Sequence, residues 1–153
     1  MDFTAERKAM VDSQVRVNDV TSHEIHKAMM AVPRENYCAP DRIFAAYSDA
    51  EVEIAADRRL MPARDLSKLL QAADAREGEK ALAIAAPYAA AVLARMGLTV
   101  TAQEAEQAVF DVVGAALEAE GVATALAPLS RPVGEGWDLI VCEGGVAAVP
   151  DAW

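Results

Sequence analysis

Glu77-Gly78-Glu79-Lys80-Ala81-Leu82-Ala83-Ile84-Ala85-Ala86-Pro87-Tyr88-Ala89-Ala90-Ala91-Val92-Leu93-Ala94-Arg95-Met96-Gly97 is the stretch that decides the fold. It reads as a turn, a short buried strand over Ala81 to Ile84, a tight connection, and a helix from Tyr88 to Met96 closed by Gly97. That pattern is the first strand–loop–helix unit of a nucleotide-binding type of α/β domain. In such a unit the loop normally carries glycines, so that backbone N–H groups approach a ligand. Here the loop is Ala85-Ala86-Pro87, which holds no glycine, and Pro87 has no N–H to donate. The scaffold of a cofactor site is present and the part that touches a cofactor is missing.

Outward from this unit, the C-terminal side repeats the alternation. Leu98 to Ala102 predicts a second strand, followed by a long helix to Glu120 with Val109, Val112, Val113, Ala116 and Leu117 on one stripe and Gly121 at its end. Val122 to Ala127 predicts a third strand, and Trp137-Asp138-Leu139-Ile140-Val141-Cys142 a fourth, apolar enough for the interior of a parallel sheet. Strands alternating with helices imply right-handed crossovers and an α/β, doubly wound, mostly parallel sheet of Rossmann-like type.

The N-terminal side predicts a helical segment over residues 1–76 packed on this 77–153 core, the two forming one compact unit. A first helix is expected over residues 3–17. Thr21-Ser22-His23-Glu24 fits a capping box with Thr21 as cap, opening a second helix that stops at Pro33. A proline-bracketed linker and a short helix around Asp41 to Ala46 lead to Glu51-Val52-Glu53-Ile54, an alternating edge strand. Asp57 to Pro62 reads as a loop, after which Pro62 opens a helix through Ala73 with Leu66, Leu69 and Leu70 on one face. Arg58-Arg59 reads as an exposed loop pair, anion binding being the alternative. His23 and His26 read as surface histidines rather than metal ligands, since no further His or Cys stands nearby, and no metal is expected.

Composition bounds the rest. The chain has 153 residues, 54% hydrophobic and 25% charged, enough for one domain with a proper core. Net charge is −10, and residues 81–153 carry 2 Lys/Arg against 9 Asp/Glu, which argues against a nucleic-acid surface there. No apolar run of about 18 residues occurs and the start is polar, so neither membrane span nor signal peptide is expected, and the expected location is the cytoplasm. Cys38 and Cys142 read as buried small residues ahead of a disulfide or reactive thiol.

Several motifs, in order, carry a resemblance. Met10-Val11-Asp12-Ser13-Gln14-Val15, Asn18-Asp19-Val20-Thr21, Ala28-Met29, Val32-Pro33-Arg34-Glu35 and Ala46-Tyr47-Ser48-Asp49 resemble the protein-L-isoaspartate O-methyltransferases. The likeness continues through Ala89 to Ala94, Trp137 to Ile140 and Val149-Pro150, covering the chain as the N-terminal two-thirds of that family. The resemblance implies use of S-adenosylmethionine to methylate the α-carboxyl of isoaspartyl residues, but the functional positions depart from it. The acid expected in the first strand falls at Ala83, and Ala85-Ala86-Pro87 stands for a longer Gly-x-Gly-x-Gly type loop. The acid expected to hold the ribose falls at Gln103, with Glu104 one step on, and Arg58-Arg59-Leu60-Met61-Pro62 lacks the catalytic hydroxyl.

The resemblance also implies further strands beyond Val149-Pro150. Without them Leu139, Ile140, Val141 and Cys142 would form an open apolar edge, an expected interface for a homodimer or a protein partner, unless Val146 to Trp153 folds over it. Gly144-Gly145, just past this strand, reads as a flexible turn. The expectation is therefore a pseudoenzyme with no catalytic residue and no bound cofactor, acting as a protein-binding or regulatory module. The alternative is an S-adenosylmethionine-dependent enzyme of residual or altered activity.

Overall fold

The computed structural model describes residues 1–153. Five α-helices and six strands follow one another as α1 (Phe3–Met10), α2 (His23–Ala31), β1 (Val52–Ala55), β2 (Arg58–Leu60), α3 (Ala63–Ala73), β3 (Lys80–Ile84), α4 (Pro87–Arg95), β4 (Thr99–Glu104), α5 (Gln107–Ala119), β5 (Ala123–Leu126) and β6 (Leu139–Cys142). β3 to β6 form one parallel sheet in the order β5-β4-β3-β6. The first two crossovers carry helices, whereas β5 returns to β6 through a connection without one.

The central helix, α4, has Pro87 at its first turn, where the missing N–H costs nothing. Every residue from Pro87 to Leu93 is buried. Three consecutive alanines let its backbone approach the sheet closely, which accounts for a core with so few aromatic rings. Gly97 ends it with φ +94°, a conformation that favours glycine, and the Glu77 side chain packs where a Cβ would stand, its Cγ 2.7 Å from that place.

One apolar cluster runs from Met10 through α2, α3, α4 and α5 to Val141. It takes the sheet face of Ala81, Ala83, Val100, Ala102 and Val141. Leu82 and Ile84 alternate to the opposite face, are fully buried, and lie outside that cluster.

Four local expectations need correction. The predicted 3–17 helix changes pitch after Met10, continuing as a wider turn (Val11–Val15) and a tighter one (Arg16–Asn18), with the Ser13 hydroxyl donating to Ala9 O and the Asn18 amide to Gln14 O. The cap of α2 is Ser22, whose Oγ accepts from Ile25 N–H at 3.3 Å, because Thr21 N–H is taken by Gln71 Oε1. Arg58 to Leu60 is a strand, not a loop: it pairs antiparallel with β1 through a turn in which Ala56 and Asp57 both take positive φ, 49° and 63°. His26 is buried rather than at the surface, with a ring nitrogen 2.6 Å from Val20 O, while His23 is exposed.

Candidate cleft at the carboxyl ends of the strands

β3 ends in the turn that decides the fold. Ala85 adopts φ +50°, a left-handed conformation that costs a non-glycine residue about 1 kcal/mol. Its N–H donates to Gln103 O at 2.9 Å, tying the turn to β4. Ala83 is fully buried on the helix face of β3 and Ala86 caps α4 without a side-chain bond. Of this turn only Ala85 lines the cleft, Ala86 and Pro87 being buried, so a methyl group stands where donors are expected.

β4 runs two residues further than predicted, so Gln103 and Glu104 lie within it on opposite faces. The Gln103 amide donates to Pro128 O and Arg131 O, both at 2.9 Å, and accepts from Val133 N–H at 2.9 Å. Three of its hydrogen-bonding positions therefore hold the β5–β6 connection. Glu104 is buried and receives Arg58 in a two-pronged pair, Nη2 at 2.9 Å from Oε1 and Nε at 3.0 Å from Oε2. Its Oε1 also accepts from Ala105 N–H at 2.8 Å, two residues before α5. Arg58 is thus half of an internal pair, and Arg59 is an exposed arginine 3.6 Å from Glu51.

β6 delivers Glu143, a residue the motifs did not single out. Its carboxyl is 5% exposed and accepts from Met61 N–H at 3.0 Å and Ala89 N–H at 3.4 Å, the latter in the first turn of α4. Burial pushes its pKa up to about 7, against the lowering influence of Arg34 and of the two backbone donors. An acid directly after an apolar strand, at the carboxyl edge of the sheet, was the signal available for it.

These ends open on a cleft of about 450 Å³ between the β1–β2 hairpin and the segment after β6. Leu60, Met61, Ile84 and Ala85 form one wall, and Gly144, Gly145, Pro150 and Trp153 another. Trp153 Nε1 donates to Leu129 O at 2.9 Å, which ties the last residue to the β5–β6 connection. The outer edge of β6 carries no neighbouring strand. Val141 is buried beneath the helices, while Leu139, Ile140 and Cys142 are half-buried; Cys38 is a buried free thiol and Cys142 a half-buried one.

The sheet order, the strand–turn–helix unit and a cleft at the carboxyl ends define a Rossmann-like α/β protein of methyltransferase type. Comparison with known proteins agrees. The family model for Protein-L-isoaspartate(D-aspartate) O-methyltransferase (PCMT) matches residues 5–124. A protein-L-isoaspartate O-methyltransferase of Methylorubrum extorquens (strain PA1) is 30% identical over 99% of this chain and 69% of its own. The chain belongs to the protein-L-isoaspartate O-methyltransferase family.

Two solved structures share the fold. One protein-L-isoaspartate O-methyltransferase superposes with a TM-score of 0.77 at 19% identity, over 96% of this chain and 50% of its own. A Plasmodium falciparum protein described as a member of the same family, solved in complex with S-adenosyl-L-homocysteine, gives 0.74 at 14% identity, over 95% and 77%. The chain spans half the length of the first of these. No helix is long and apolar enough to cross a membrane.

Proposed function

We propose that this chain is a non-catalytic member of its family, unable to hold S-adenosylmethionine and acting as a protein-binding module through the open edge of β6. The observation that carries this reading is Gln103, whose amide is engaged by Pro128, Arg131 and Val133 instead of facing a ligand. The other groups at the strand ends point the same way. The Ala85-Ala86-Pro87 turn offers no glycine and a proline without an N–H, and Glu104 is already neutralised by Arg58. These residues do not fit a cofactor whose ribose needs a free acceptor and whose chain needs close backbone approach. Arg58 to Pro62, at the cleft mouth, supplies no hydroxyl for catalysis.

Calorimetric titration with S-adenosylhomocysteine and S-adenosylmethionine tests the reading. Silence up to a Kd of ~1 mM, equivalent to about −4 kcal/mol, is the expected result. Micromolar binding would overturn it and favour a working methyltransferase of altered activity.

A further inference from the structure

The first turn of the helix after the first parallel strand is where α/β folds of this topology receive an anionic or polar ligand group. In this chain that place is filled from within. Glu143 Oε2 lies 3.4 Å from Ala89 N in the first turn of α4, and Oε1 lies 3.0 Å from Met61 N. The same Met61 is held on its other side, its carbonyl accepting from Arg34 Nη2 at 2.7 Å.

Arg34 is fully buried, donates from Nε to Ala46 O at 2.7 Å, and stacks its guanidinium 4.7 Å from the centre of the Tyr88 ring. Its Nη1 and the Tyr88 hydroxyl are both buried without a partner. Both groups lie close enough to the Glu143 carboxyl for their charges to interact with it. The charged and titratable groups facing Glu143 are Arg34 from the Arg34–Tyr37 turn, Tyr88 from α4 and Cys142 from β6, with Arg58 and Glu104 beyond Cys142.

We propose that Glu143 is the chain's own ligand at this position, a carboxyl group supplied in cis that latches Met61 and the hairpin segment onto α4. The site it fills is therefore built for a carboxyl group with two accepting oxygens, and it accepts a small monocarboxylic acid once the side chain is removed. Acetate replaces the atoms that Glu143→Ala deletes, namely Cγ, Cδ and the two oxygens. This deepens the preceding reading, on which it rests only for the absence of a competing cofactor.

The test is thermal unfolding of the whole chain at pH ~5 as wild type, Glu143→Ala and Glu143→Gln, with rising acetate buffer and with acetamide as a control that offers one accepting oxygen instead of two. The expected result is a lowered Tm for Glu143→Ala that acetate raises saturably and acetamide does not, with no acetate effect on the other two proteins. A folded Glu143→Ala whose Tm ignores acetate overturns the proposal. Should that variant not fold, carboxyl NMR on the wild type decides. Met61 and Ala89 amide shifts that follow the Glu143 titration support the latch, and amides indifferent to it overturn it. Cofactor titration of the wild type reads the preceding proposal separately, since binding there would leave an acetate rescue standing.

Discussion

Arg58 and Glu104 meet side by side at the end of β4, the guanidinium presenting two nitrogens to the two carboxylate oxygens at 2.9 and 3.0 Å. The pair joins the β1–β2 hairpin to the parallel sheet, and Glu104 is the buried partner, its side chain 3% exposed against 24% for Arg58. Removing Arg58 leaves a buried carboxylate uncompensated. Arg58→Ala is expected to lower unfolding free energy by about 3 kcal/mol, read from urea titration. Arg58→Lys retains the charge but not the fork and should lose less. Equal stability for all three proteins would show that the pair holds nothing.

Gln103, at the place where the resemblance implies an acid, acts as a clamp on the connection from Pro128 to Val133. Gln103→Ala removes three hydrogen bonds and should cost about 2 kcal/mol, with faster hydrogen exchange at Val133. Restoring the acid is expected to be worse. In Gln103→Glu a carboxylate would face the carbonyls of Pro128 and Arg131 with nothing to donate, so it should be less stable than Gln103→Ala. It should remain silent toward S-adenosylhomocysteine, and binding by Gln103→Glu would mean that one substitution suffices to recover the site.

The distribution of what the sequence disclosed follows from range. The strand Ala81 to Ile84, the helix ending at Gly97 and the apolar run Leu139 to Cys142 were legible because each is written in local periodicity and punctuation. The parallel sheet then followed from the alternation of strands and helices. β2 was hidden because its turn, Ala56-Asp57, reaches positive φ without the glycine or asparagine that normally announces a hairpin. The site was harder still. Gln103 could be placed, but its partners lie 25 to 30 residues away, and Glu143 reaches Met61 across 82 positions. No local pattern encodes such pairs.

Glu143 gives the protein a pH dependence of defined sign. Its folded pKa is raised from 4.5 to about 7, chiefly by burial, so the folded state holds the proton more tightly than the unfolded chain. The resulting stabilisation is complete below 4.5 and is lost as pH rises through about 7. At its full extent it amounts to about 3 kcal/mol. Glu143→Gln cannot titrate, so the stability difference between wild type and variant should move against the wild type between pH ~5 and pH ~8. Parallel urea midpoints for the two proteins across that range would show that Glu143 ionises freely.

The open edge of β6 sets the last expectation. β5-β4-β3-β6 leaves Leu139 to Cys142 with backbone groups facing away from β3 and no strand to meet them. An uncharged edge of this kind is a template for strand addition, and a second copy is a partner always at hand. Antiparallel pairing about a two-fold axis would set Leu139 opposite Cys142 of the other copy and Ile140 opposite its Val141, joining two sheets into one. Light scattering is expected to report two chains at high concentration and one on dilution. Ile140 is half-buried, so Ile140→Lys puts a charge on the edge without opening the core, and it should give one chain throughout with unchanged far-ultraviolet circular dichroism. A wild-type mass of one chain at the highest concentration would remove the self-pairing, and a dimer that survives Ile140→Lys would move the interface elsewhere on the surface.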